Sequence, residues 1–281
     1  MPDLTPLVVD NRPDGVTVLR AADGQPVLTQ VAEAGRRPYI HPLHAPGGAG
    51  VLTEDAPAHH PWQHGLYVGL NDVNGSGFWS EGLDPRRAET DGTFAPRLDG
   101  EAVAVDGVAR WTVRTDYLAR DDAPVFSDRQ EWAVSTTGER LDLDMTWTLH
   151  AGHDVTFGEY EYGGLFLRMP FRAETGGTAF DSEGQSSDGQ RARWVAVVMP
   201  LPDTGREVLA ALLDHPGNPG SPVPWRIDGE LGICPSPSIA GPWTLAAGVP
   251  AVFRYRLAVF SSSVPAAVVE DTWQRFAGGG E

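Results

Sequence analysis

Five of the chain's eight histidines, His41, His44, His59, His60 and His64, fall in two short runs, "PYIHPLHAPGG" from position 38 and "AHHPWQHGLYVG" from position 58. Imidazoles at that density support three roles. Neutral imidazole is the commonest side-chain metal ligand, and three or four within reach would hold Zn, Mn or Fe, with His41, His44 and His60 as the candidates. Imidazoles titrating near neutral pH can also exchange protons with the oxygens of a polyhydroxylated ligand without any metal. The third role is structural, with the rings satisfying loop backbone groups and packing beside prolines. The spacing matches no standard metal motif: H-x-x-H interrupted by Pro42 is neither the H-x-H of a cupin-type strand nor the H-E-x-x-H of a zincin helix. Metal-free acid–base chemistry is therefore the leading expectation, and a divalent metal is the one cofactor to set beside it.

The surrounding residues suit a sugar. Trp62, Tyr67, Trp79 and, far downstream, Trp225 offer flat apolar rings on which the C–H face of a pyranose stacks. Carboxylates supply the complementary half: "GEYEYGG" (158–164) places Glu159 and Glu161 on one face if extended, and "FDSEG" (180–184) adds Asp181 and Glu183. The loop "LLDHPGNPGSPVPW" (212–225) holds Asp214, His215, Asn218 and Trp225 in a Pro- and Gly-fixed segment after an apolar strand, as a second wall of the same pocket.

Composition says what must position these groups. With 281 residues, 41% hydrophobic content, 33 Gly and 24 Pro, the chain can bury one large core but rarely sustains helical periodicity, which favours many short strands. The runs "VTVLR" (16–20) and "PVLTQVA" (26–32) read as a hairpin around Asp23-Gly24, opening the fold. Most of 38–82 reads as loop, with "GLYVGLNDV" as its one clear strand. His59 and His60 would face opposite ways in a strand and Pro61 removes a ladder donor, so that segment is a loop entering the strand at Leu66. From 101 to 150 the pattern becomes long antiparallel strands: Leu141, Leu143, Met145, Trp147 and Leu149 share one face, and Asp142, Asp144, Thr146 and Thr148 the other. The tail changes period, with Val269, Trp273 and Phe276 at i, i+4 and i+7 after Ser263 and Pro265, which predicts one terminal helix packed on a sheet. About a dozen strands cannot stay one open sheet, so two stacked antiparallel sheets are expected, in one domain spanning 1–281.

Several functions are excluded on residue type. The balance of 21 basic against 38 acidic residues, a net of −17, disfavours nucleic acid and anionic membrane surfaces as partners. Every base is Arg; with no Lys, Schiff-base catalysis and a P-loop are impossible. No G-x-G-x-x-G follows a strand and no G-x-S-x-G elbow occurs. The single Cys234, together with an N-terminus lacking a basic and an apolar signal region, points to the cytoplasm.

The runs 37–79, "YGGLFLRM" (162–169) and "DHPGNPGSPVPW" (214–225) resemble a family of bacterial proteins of unassigned function often labelled PmoA-like, after a methane oxygenase. The label is not inherited: a membrane methane oxygenase needs transmembrane helices, and no segment here approaches roughly 18 apolar residues. The family is similar in architecture to galactose-mutarotase-like supersandwich proteins, in which a His acid and a carboxylate base act at a sugar. The resemblance places motif residues on His41, His44, His60, Gly65, Asn71, Asp72, Asn74, Trp79, Gly163, Gly164, Arg168, His215 and Asn218. The chain departs from many members at Gln63 and His64, where His followed by Arg is common.

The expectation is thus an all-β, galactose-mutarotase-like β-supersandwich with one short C-terminal helix, acting on a small-molecule carbohydrate or keto-glycoside by hydrolysis, β-elimination or mutarotation. His41, His44, His60, His64, Glu159, Glu161 and His215 are the expected catalytic set. His59, Trp62, Tyr67, Asn71, Trp79, Arg168, Asp181, Asn218 and Trp225 are expected to bind substrate. A non-catalytic carbohydrate-binding protein is the alternative, and a metal-dependent sugar enzyme the third reading.

Overall fold

The long alternating strands of 108–150 form a meander because each carries a strict inside–outside pattern that only a two-sided sheet can use. In the computed structural model, which describes residues 3–185 and 187–279, Val108–Leu118, Pro124–Thr136 and Arg140–His150 pair in antiparallel succession. They belong to a nine-stranded sheet that continues through Ala251–Phe260, Glu207–Asp214, Trp194–Pro200 and Thr178–Asp181, with Thr93–Leu98 and Val103–Val105 at the other side. Leu141, Leu143, Met145, Trp147 and Leu149 all point inward. Their partners on the wet face are stitched by ion pairs, Arg140 to Asp142 at 2.7 Å and Arg256 to Asp144 at 2.6 Å.

The second layer is a twelve-stranded sheet whose path runs Leu7–Arg12, Gly15–Arg20, Pro26–Val31, Tyr39–Ala45, Leu66–Val73, Gly164–Leu167, Ile233–Pro235 and Trp225–Ile227. Inward side chains of both sheets, among them Val18, Ile40 and Val68 from one and Trp111, Trp132 and Phe253 from the other, make one continuous core. The expected hairpin stands, but Leu7–Arg12 precedes it as a further edge strand. The strand count is also well above a dozen, because strands of two to four residues such as Gly50–Val51 and Ser76–Phe78 are too short to show alternation. The largest correction concerns 38–82. Tyr39–Ala45 is a paired strand, so His41 and His44 sit on the sheet and not in a loop.

The helix Ala266–Ala277 covers the outer face of the nine-stranded sheet, with Val269 fully buried against Trp194, Ala196, Leu209, Ala211, Leu213 and Ala258, and Trp273 and Phe276 packed at its margin. That cover explains why "EVLAALLD" reads as an unbroken apolar run: the strand is buried on both faces.

A polar group sits inside the main core. Oδ2 of Asp128 accepts hydrogen bonds from the Trp147 indole N–H (2.8 Å), the Gln130 amide (2.9 Å) and the Tyr117 hydroxyl (3.1 Å). Burial pushes its carboxyl up to about 6 from 3.8, although the three donors pull it down. A folded pKa above the unfolded one means stability that is present below pH 3.8 and lost as pH rises through about 6. A shift of roughly two units corresponds to about 3 kcal/mol. The stability gap between Asp128→Asn and wild type, measured by urea unfolding, should therefore move in the variant's favour by about 2 kcal/mol between pH 4 and pH 8. A gap independent of pH would show that the carboxyl titrates in the folded core at its ordinary value.

Candidate functional site

The outer face of the twelve-stranded sheet carries a row of aromatic residues set by strand register. Tyr39 lies opposite Tyr67, Tyr67 opposite Phe166, and Cys234 continues the row on the next strand, all pointing away from the main core. Such a row must be covered, and loops cover it. Trp79 lies across Gly69, where a Cβ would come within 2.5 Å of the indole, so this strand position has room for glycine alone. Tyr162 packs on Trp79 with ring centroids 4.3 Å apart. Between these loops opens a cleft of about 390 Å³, lined by His60, Trp62, Gln63, Trp79, Glu161, Tyr162, Phe166, Asp228 and Glu230, with Asp84, Arg86, Arg87 and Arg226 at its sides. A second depression of about 570 Å³ adjoins it, shares Glu230 and is lined by His59, Glu54, Arg168 and Arg172.

The loop 55–64 delivers His59, His60 and Trp62. An antiparallel bridge between Asp55 and His64 closes its neck, and the same two side chains clamp it, with His64 Nδ1 2.6 Å from Asp55 Oδ1. On its other side His64 Nε2 meets Glu81 Oε2 at 3.0 Å. Glu81 in turn pairs with Arg37 (3.4 Å) and accepts its backbone N–H (3.0 Å). Arg37 is completely buried, lies 3.9 Å from the Tyr67 ring centroid, and donates to the Trp62 carbonyl. Burial alone would pull the His64 imidazole down, but its hydrogen bonds to Asp55 and Glu81 outweigh that and hold its pKa above 6.5. Both carboxyls are held below their usual values despite burial, Asp55 by the hydrogen bond and charge of His64, Glu81 by the Arg37 charge and the His64 hydrogen bond. His64, at 1% exposure, is thus a tie between two carboxyl groups under the cleft and not part of its lining.

Arg168 anchors the other flank. Its guanidinium, 1% exposed, donates twice to Glu54 (2.9 and 3.1 Å), to Gln63 Oε1 (3.2 Å) and to Glu230. The Gln63 carbonyl oxygen thus serves as one of the acceptors that hold Arg168. Glu230 sits in the turn "DGELG", where Asp228 Oδ1 accepts the N–H of Glu230 (2.9 Å) and of Gly232 (2.8 Å). Its carboxyl is held below 4.5 because hydrogen bonds from His59 and Arg168 outweigh burial. His60 is pulled below 6.5 by burial and then by His59, which leaves it neutral at pH 7, and its Nδ1 is buried without a partner.

The remaining expected residues scatter. Glu161 lines the cleft, while Glu159 is exposed and outside it; 158–163 is loop, not strand. Tyr67 is fully buried under Arg37 and Trp79. Asn71 is buried beneath the same loops with its amide unpaired. His41 bonds Thr53 Oγ1 at 2.9 Å, and His44 faces a separate depression with Arg20, Asp23 and Thr136. The three metal candidates therefore do not meet. Among the described residues the group whose ligand atoms lie within 4.8 Å of one another is His59, His60 and Glu230. The loop 214–225 forms no second wall of this cleft: His215 Nδ1 accepts the Gly217 N–H (3.0 Å), Asn218 ties Asp214 to the Arg254 backbone (2.7 and 2.8 Å), and Trp225 is core, donating to the Ala192 carbonyl. Asp181 caps a turn by accepting the N–H of Glu183 and Gln185.

The model of a family of unknown function, DUF6807, matches residues 15–274. No curated protein sequence matches the chain. Among solved structures, a galactose mutarotase related enzyme from Lactobacillus acidophilus aligns at 9% identity and a TM-score of 0.39, covering 92% of this chain and 98% of that one. A protein of Synechocystis sp. PCC 6803 aligns at 11% and 0.40, covering 93% and 97%. An α-galactosidase from Geobacillus stearothermophilus, solved with raffinose, aligns at 12% and 0.28; the chain covers 32% of its length. None of these supports the methane-oxygenase label, and among the described residues no helix is long and apolar enough to cross a membrane. Likenesses this distant leave the cleft's own residues as the ground for a functional reading.

Proposed function

The chain belongs to this family of unknown function, and we propose that its cleft binds a carbohydrate and carries out acid–base chemistry on it through His60 and the carboxyl groups of Glu161 and Glu230. One observation carries the reading: a single cleft brings the rings of Trp62, Trp79 and Tyr162 together with a neutral imidazole and several carboxylates. Rings give a pyranose its stacking surface, and polar groups between them fix its hydroxyls. His60 offers a lone pair, Glu161 makes no ion pair or hydrogen bond among the described residues whereas Asp84, Asp228 and Glu230 are each engaged, and Glu230 is held ionised. Hydrolysis, β-elimination on a keto-sugar and mutarotation all need such a set. A carbohydrate-binding protein would need the rings alone. A panel of glycosides, 3-keto-glycosides and free aldoses followed by NMR separates the two, since it detects cleavage, elimination and anomeric exchange together. Conversion of at least one member is expected. Binding without conversion, with and without added divalent metal, would establish the binding protein instead.

A further inference from the structure

His59 and His60 are neighbours on the cleft loop, and Glu230 reaches them from the "DGELG" turn; one ligand atom from each lies within 4.8 Å of the others. We propose that His59, His60 and Glu230 bind one divalent transition-metal ion of the zinc class, at the junction of the two depressions. Three observations on different atoms lead there. First, two imidazoles and one carboxylate make a three-ligand set of the composition found at catalytic zinc centres, where a further position stays open. The open side faces the clefts, since His60 lines one, His59 the other, and Glu230 both. Second, His59 Nε2 lies 2.8 Å from each Glu230 oxygen and 3.3 Å from an Arg168 nitrogen that can only donate. If Nε2 accepts from Arg168, it presents a lone pair to a carboxylate; if it carries a proton, two donors face each other. A cation coordinated by both His59 and Glu230 from the cleft side removes the conflict. Third, His60 Nδ1 is buried with no hydrogen-bond partner, a cost that a bound group would offset.

The charge of Arg168 does not forbid the ion. Glu54 accepts from it twice, and Arg172, which shares that carboxylate, is 43% exposed and solvated, so much of the charge of Arg168 is matched before Glu230 is counted, and its remaining bond to Glu230 becomes an outer contact that orients a ligand carboxylate. The inference builds on the same wall as the carbohydrate reading: with an ion present, the His60 lone pair is committed to it and Glu161 remains as the proton-transfer group. It is tested without any sugar, so its failure leaves the carbohydrate reading standing, while its success would move the proton-transfer role from His60 to Glu161.

The experiment is calorimetric titration of Zn²⁺ and of Mn²⁺ into chelator-stripped, tag-free protein, with melting temperature recorded in parallel. One equivalent should bind and raise the melting temperature. His60→Ala and Glu230→Gln should each weaken binding at least 10-fold with an unchanged circular dichroism spectrum, whereas His153→Ala, on an exposed loop, should leave it unchanged. Glu230→Gln keeps the side chain's shape, so it remains informative if His60→Ala misfolds. Absence of binding, or binding that survives both substitutions, overturns the proposal.

Discussion

Replacing Arg37 by methionine should lower the unfolding free energy by about 3–5 kcal/mol and the melting temperature by on the order of ten degrees. Methionine fills much of the same volume, so the loss reports charge and hydrogen bonding more than a cavity. Arg37 has no water to return to: it is completely buried, between the Tyr67 ring, Glu81 and the Trp62 carbonyl. Removing it leaves the Glu81 carboxylate, 5% exposed, with His64 alone. Breaking a buried pair from one side is costly because the partner's charge stays uncompensated. Glu81→Gln should cost a similar amount, and the double variant less than the sum, since both changes remove the same contact. Strict additivity, or a loss under about 1 kcal/mol, would mean that the network is idle. Its pH dependence has two edges. His64 has a raised folded pKa, so its contribution is complete below 6.5 and disappears as pH rises through the folded value. Asp55 and Glu81 have lowered pKa values, so theirs is present above 3.8 and 4.5 and is lost as pH falls through the folded values. The network's contribution, read as the stability difference between wild type and His64→Gln, should therefore peak between these edges, and His64→Gln should lack the network's decline on the alkaline side.

That network shows where the sequence could be read and where it could not. The strands of 108–150 were legible because each repeats its pattern for eleven to thirteen residues, long enough for period two to stand out. Tyr39–Ala45 was not, because its outer face is polar at His41 and His44 while Pro42 interrupts it, which locally imitates a loop. The histidine cluster was visible as density, but density does not say which way a ring points. On the strand His41 bonds Thr53, on the loop His60 opens to the cleft, and at the loop's neck His64 turns under it. Arg37, Glu54, Asp55, Glu81 and Glu230 carried no signal of their own. In a chain of 38 acids and 21 arginines, every acid has the same sequence appearance whether it is solvated or pairs with a buried guanidinium. Pairing distances of 44 residues for Arg37 with Glu81 and 114 for Arg168 with Glu54 lie outside any local pattern.

The second large effect is kinetic. On any member of the sugar panel that wild type converts, His60→Ala and Glu161→Gln should each reduce kcat by about 10²–10⁴-fold, the usual contribution of one positioned acid or base, while substrate binding largely survives. Trp79→Ala should do the reverse in part. It removes the ring on the cleft floor that also packs on Tyr162 and crosses Gly69, so binding should fall and KM should rise with it. The two classes of variant therefore separate proton transfer from stacking in one set of measurements. Glu159→Gln serves as the internal control among the expected catalytic residues, because its side chain is exposed and does not line the cleft; it should behave as wild type. If Glu159→Gln abolishes turnover while Glu161→Gln does not, the chemistry lies outside the cleft formed by Trp62, Trp79 and Tyr162, and the assignment of His60 falls with it.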